Sequence, residues 1–386
     1  MKNNRTFLEK LLDGAEVEWK PLKDILIRTK GTKITAAEMK VLHKDNAPLK
    51  IFAGGKTFAL VNFEDVPEKD INKNPSIIVK SRGIIEFEYY DKPFSHKNEM
   101  WSYYSNDKNI NIKYIYYVLK NQEPYFQNLG SKMQMPQIAT PDTDKYLVPI
   151  PSLPVQTEIV KILDALTALT GELTSELILR RKQYEYYREK LLSHHNDSEN
   201  SSQQKVDKDK LFSTSNIQWL HLNEIYKFQY GIGNKIPTIG GEYPVYGSNG
   251  IVGSHNEYNS EDAPVIGHIG AYAGIVNWAE GKHFVTYNGI ICNKINDNVN
   301  SRYAYYLLLS QNFIDKANKA SQPFISYDIL NKCIVPVPPI EEQERIVSIL
   351  NKFEALTNSI TEGLPLAIEQ SQKRYEYYRE LLLNFS

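Results

Sequence analysis

The chain repeats itself, and the repeat limits what it can fold into. "LVPIPSLPVQTEIVKILDALTALTGELTSEL" aligns with "IVPVPPIEEQERIVSILNKFEALTNSITEGL" at a constant offset of 187 residues. Val148, Pro149, Ile150 and Pro151 face Val335, Pro336, Val337 and Pro338. Gln156 faces Gln343, Ile159 faces Ile346 and Leu163 faces Leu350. The hexamer YEYYRE at 184–189 returns at 375–380, an offset of 191, so the second copy carries four extra residues, placed around Pro365 to Ile368. Fainter echoes precede each block: "VEWKPLKDI" (17–25) resembles "IQWLHLNEI" (217–225), and "KYIYYVLKN" (113–121) resembles "RYAYYLLLS" (302–310). Such a duplication predicts two copies of one frame, in the order domain, helix, domain, helix.

The repeated blocks read as long helices. Positions 159, 163, 166, 170, 173, 177, 180, 184, 187 and 191 alternate steps of four and three, and eight of the ten are apolar or aromatic. That spacing predicts a coiled-coil seam. Ile159, Leu163, Leu166, Tyr184 and Tyr187 fall on it, as do Ile346, Leu350, Phe353, Ile360, Tyr375 and Tyr378 in the second copy. The four extra residues predict a stutter, and Pro365 a kink or restart. About 40 helical residues span roughly 60 Å. An apolar stripe of that length needs a partner. Two similar helices supply one for each other, as an antiparallel pair about a pseudo-twofold axis. The other reading is a helical hairpin packed on a neighbouring domain. Between the first helix and the second domain, "HHNDSENSSQQKVDKDK" (194–210) is polar and reads as a solvated linker. Its paired His194 and His195 make a poor metal site.

The segments before each helix have strand-and-turn texture, as in "YPVYG", "PVIGHI" and "GIICNKI". The fold class is therefore α/β: two domains, each a twisted, partly barrel-like sheet with helices, joined by the two long helices. The boundaries read 1–150 for the first domain, 151–195 for the first helix, 196–215 for the linker, 216–338 for the second domain and 339–386 for the second helix. Cys292 and Cys333 are too few for a disulfide framework, which points to the cytoplasm. No apolar run is long enough for a membrane span, so no membrane partner is expected. The net charge of −1 argues against a protein that coats nucleic acid. Residues 1–150 hold 23 basic against 19 acidic side chains (+4), and residues 216–338 hold 8 against 9 (−1), so any nucleic-acid contact is local. The glycine-rich "YGSNGIVG" (246–253) and "GHIGAYAG" (267–274) lack a Walker sequence and a following helix, and read as tight turns. No Cys/His metal cluster, Gly-x-Ser-x-Gly elbow or HExxH occurs.

This layout resembles the DNA specificity subunit of type I restriction–modification systems, over essentially the whole chain. "VPVPPIEEQERIVSIL", "YPVYGSNGIVG" and "SRYAYYLLLSQNF" followed by "ASQPFISYDILNKCIVPVPP" carry the likeness most specifically. In the first half "LKIFAGG" replaces the Gly-Ser-Asn-Gly turn and "LPVQTEIV" lacks the double Glu. The resemblance implies a subunit without catalysis or cofactor of its own. It implies two target-recognition domains that read the halves of a split double-stranded DNA target, with the paired helices as spacer. Two methyltransferase subunits, using S-adenosylmethionine on adenine, dock on such a subunit. Restriction subunits, a motor-nuclease using ATP and Mg, then join. Because the two domains differ in sequence, the half-sites are expected to differ. Side-chain chemistry then nominates Lys56, Lys80, Arg82, Lys132, Gln134 and Gln137 in the first domain as DNA contacts. In the second it nominates Ser248, Asn249, His268, Tyr272, Asn288 and Gln322. The competing readings are a DNA methyltransferase or nuclease with unrecognised motifs, and a coiled-coil interaction protein with no DNA role.

Overall fold

The computed structural model describes residues 11, 12, 14, 16–131, 135–192, 216–233, 240–318, 321–359 and 361–385. The chain divides into two compact units, Met1–Leu173 with Ala367–Ser386, and Thr174–Leu366. The linker 196–215, His194, His195 and Ile360 lie outside the described residues.

In unit 1, β1 (Glu18–Pro21) pairs antiparallel with β9 (Leu147–Ile150), Trp19 opposite Pro149. Between them lie two sheets. One has the order β2–β8–β5–β6 (Ile27–Lys30, Trp101–Tyr104, Ser76–Lys80, Glu86–Tyr90). The other has the order β4–β3–β7 (Phe58–Val61, Leu49–Phe52, Phe94–His96), with β3 and β7 parallel. In unit 2, β10 (Gln218–His221) pairs with β17 (Ile334–Val337), Trp219 opposite Pro336. One six-stranded sheet follows, β11–β16–β14–β15–β12–β13 (Tyr226–Tyr230, Gly289–Lys294, Ser260–Gly267, Val276–Val285, Tyr243–Gly247, Gly250–His255). Here β12 and β15 are parallel.

The two topologies are one topology. The ten-residue β15 occupies the places of both β6 and β7. In unit 1 Asp91-Lys92-Pro93 interrupts that strand, because proline cannot donate to a ladder. The six-stranded sheet is open, with β11 and β13 as its edges, so the barrel-like character stops short of closure.

The repeated residues fasten each sheet domain to its helix in the same way. In unit 1 the buried Gln156 accepts from Asn111 N at 2.9 Å and donates to Asn109 O and Pro151 O at 3.0 and 2.9 Å. In unit 2 the buried Gln343 accepts from Asn300 N at 2.8 Å and donates to Asn298 O and Pro338 O at 3.2 and 2.8 Å. Tyr114 and Tyr303 donate to Pro149 O and Pro336 O at 2.9 and 3.0 Å. Asn111 and Asn300 cap the helices Ile112–Asn121 and Ser301–Ser310. Each satisfied amide bond contributes about 0.5–1.5 kcal/mol, and leaving its partner bare costs more.

The first long helix, Leu153–Leu192, is unbroken. None of its ten seam positions is exposed. In unit 1 its start shares an apolar cluster with the chain's end: Ile159 and Leu163 with Leu382 and Leu383, Tyr375 and Tyr378 alongside. Leu166 is half-buried. Thr170 and Ser371 hydroxyls lie 2.8 Å apart. In unit 2 Tyr184 and Tyr187 pack on Phe353, with ring centroids 6.2 and 5.7 Å away, beside buried Ile346 and Leu350. Arg181 reaches Thr357 O. Rising numbers on the first helix meet falling numbers on the second, which is antiparallel pairing within unit 2.

The second helical stretch shows the restart expected at Pro365 in place of a continuous helix with a stutter. It is two helices, Ile340–Asn358 and Gly363–Leu383. Gly363 has φ +77°, and a Cβ there would meet Ala355 O at 2.6 Å. The extra residues therefore form a break before Pro365, and Pro365 sits in the first turn of the new helix, where its missing N–H costs nothing.

Candidate nucleic-acid interface

In both units the loops at one end of the sheet converge. In unit 2 these are the β12–β13 turn, the β14–β15 loop, the β15–β16 turn and the segment 321–327. The Ser248 hydroxyl lies 2.8 Å from Ile269 O and 2.9 Å from Asn288 O. His268 N donates to Asn288 O at 2.8 Å, Ile325 N to His268 O at 2.9 Å, and Gly270 N to Pro323 O at 2.8 Å. Tyr230 N donates to the Tyr327 hydroxyl at 2.7 Å, and the two rings stack at 4.3 Å. Burial raises the pKa of both phenols.

Unit 1 repeats the platform at the same 187-residue offset. Ile138 N donates to Ser81 O at 3.0 Å and Gly83 N to Pro136 O at 2.9 Å. Arg82 bridges Gln137 where Ile269 bridges Phe324. Backbone groups of these loops thus hold one loop to the next, and side chains project from the platform they form.

The nominated residues divide accordingly. Lys56 and Arg82 are exposed on the unit 1 face, and Gln137 is half-buried beside Arg82. Asn249, Tyr272 and Gln322 are exposed on the unit 2 face, and Asn288 is half-buried. Lys132 and Gln134 lie outside the described residues. Three nominated residues are engaged within the protein. Lys80 is buried between Glu88 at 2.8 Å and Glu86 at 3.3 Å, so it holds β5 to β6. Burial lowers its pKa, but the two carboxylates outweigh this and the net shift is upward. His268 is buried with Nδ1 at 2.8 Å from Ile325 O. Ser248 spends its hydroxyl on the two carbonyls already named. A residue's type suggests what it can contact, but in the folded chain each of these three already has protein partners.

The same faces carry residues the sequence reading passed over: Lys33, Ile84 and Met135 in unit 1, and Ile232, Ile251 and Tyr287 in unit 2, all exposed. Tyr287 and Met135 stood beside the nominated residues Asn288 and Gln134. The others are carried by loops whose convergence appears only once the strands are paired. Among the described residues no group of three His, Cys, Asp or Glu side chains is placed to hold a metal ion. No described helix is long and apolar enough to cross a membrane.

Two copies of one α/β frame, each offering a different set of side chains from the same loop platform, define a tandem recognition protein. The type I restriction modification DNA specificity domain matches residues 15–180 and 222–370. A putative type I restriction enzyme specificity subunit of Haemophilus influenzae, S.HindORF215P, is 36% identical over 411 residues and covers 100% of both chains. The EcoR124I/EcoR124II specificity subunit of Escherichia coli is 34% identical, covering 98% of this chain and 97% of its own. The crystal structure of the type I restriction–modification S subunit from M. genitalium shares the fold at TM-score 0.66, with 18% identity, covering 100% and 98%. The chain belongs to the type I restriction–modification DNA specificity family, as a specificity subunit.

Proposed function

We propose that each unit reads one half of a split, asymmetric double-stranded DNA target through its loop face, in the cytoplasm. On this reading the chain docks two methyltransferase subunits that methylate adenine with S-adenosylmethionine. Restriction subunits using ATP and Mg complete the complex, and all catalysis resides in these partners. One observation carries the reading. The loop platforms are held by equivalent backbone bonds in both units, while the exposed side chains differ between them. A frame kept constant under changing tips suits two readers of different sequence. The near-neutral charge suits a reader whose partners supply much of the grip on phosphates.

The test exchanges residues 22–146, everything between β1 and β9, for the matching segment of another specificity subunit. Adenine methylation should then move to a target changed in one half only. A target unchanged, or changed in both halves, refutes the reading.

A further inference from the structure

We propose that Arg82 is a specificity-determining residue of the unit 1 half-site, and that it takes a guanine. The proposal rests on the recognition reading above. Arg82 is the second residue of the β5–β6 loop, and its backbone is pinned on both sides. Ser81 O accepts from Ile138 N at 3.0 Å, and Gly83 N donates to Pro136 O at 2.9 Å. The buried Ser81 hydroxyl donates to Glu99 O at 2.7 Å. The loop is therefore a fixed mount for one long, exposed side chain.

Two neighbouring cations among the described residues are already engaged. Lys80 is held by Glu86 and Glu88, and Lys97 by Glu99 at 2.7 Å. Arg82 makes no ion pair within 4.0 Å among the described residues, although, against the opposing effect of burial, the Lys97 hydrogen bond and, behind it, the Arg82 charge lower the Glu99 carboxyl's pKa. Lys56, on the neighbouring hairpin turn, is a point charge and suits a phosphate. A guanidinium on a rigid mount instead matches the paired O6 and N7 acceptors of guanine, the commonest specific contact in the major groove. Unit 2 provides an internal comparison. Its mount is built by the equivalent bonds, His268 O from Ile325 N and Gly270 N to Pro323 O, but Ile269 stands in Arg82's place. Changing the tip while keeping the mount is what a change of target base requires.

The experiment uses the full complex with its methyltransferase subunits acting on a DNA library randomised across the target. Arg82→Ala and Arg82→Lys are compared with the parent. At one base pair of one half-site, preference for guanine should fall about 5- to 150-fold, the other half-site staying unchanged. Arg82→Lys should fail as well, because an ammonium lacks the paired geometry. A uniform fall over all sequences with a shallower salt dependence makes Arg82 a phosphate contact and overturns the proposal. So does an unchanged preference. If the parent complex itself shows no sequence preference, the recognition reading falls along with it.

Discussion

Replacing Gln343 by leucine tests the frame itself. The side chain is 1% exposed and meets three backbone partners. Leucine has a similar size but none of the polar atoms. Asn298 is exposed, so its carbonyl regains water. The Asn300 N–H and the carbonyl of buried Pro338 do not. Each orphaned group costs about 1–3 kcal/mol, so the loss is roughly 2–6 kcal/mol. For a unit of this size each kcal/mol moves the midpoint by roughly 2–4 °C, which centres the expected shift near 10 °C. Scanning calorimetry of the purified chain reads it directly. Gln156→Leu should behave alike in unit 1, since Asn111 N, Pro151 O and the exposed Asn109 repeat the arrangement. Gln322→Leu, on the exposed face, should stay within about 0.5 kcal/mol of the parent. A Gln343→Leu midpoint indistinguishable from that of Gln322→Leu would show that the buried amide does not hold the domain to its helix.

Three further outcomes follow from particular contacts. A Cβ on Gly31 would meet His96 O at 2.3 Å, and one on Gly231 would meet Thr286 O at 2.1 Å, so Gly31→Ala and Gly231→Ala should each cost about 1–3 kcal/mol in thermal unfolding and loosen the adjoining loop face in hydrogen exchange. Lys80→Met should destabilise unit 1 by about 2 kcal/mol at neutral pH without altering the DNA target. Because the folded Lys80 pKa is raised above the ordinary lysine value of 10.5, that contribution is present below the ordinary value and fades as pH climbs through the folded one, so the gap between variant and parent should narrow in strong base. Burial lowers the His283 pKa below 6.5, so below that pH the unfolded chain takes the proton that the folded chain refuses, and stability falls with acidification. His283→Gln should flatten the midpoint-against-pH curve as pH falls below about 6.5, leaving a residual slope from the similarly buried His96.

The frame was legible in the sequence because a buried polar residue leaves a sharp mark. Gln156 and Gln343 recur at one offset, and each stands in a helix that also repeats its apolar seam. YEYYRE was legible for the same reason: Tyr184 and Tyr187 pack on Phe353, while Tyr186 and Tyr377 between them stay exposed. The helix break was less legible. Counting places the extra residues only within a window, whereas the backbone turns where Gly363 permits a positive φ. The candidate site was legible by loop but not by residue. Lys80 and Arg82 are both cations two positions apart; Lys80 is the last residue of β5 and is buried against the paired carboxylates of β6, whereas Arg82 lies beyond the strand, exposed in the loop. Nothing local to Lys80 announces that Glu86 and Glu88 lie across the ladder from it.

The most direct test of the whole account is a genome-wide map of methylated adenines in cells with and without this gene. The account predicts a bipartite motif with two unlike halves at a fixed spacing, present only when the gene is present. A map that does not change when the gene is removed, or a lost motif that is continuous or symmetric, would contradict it.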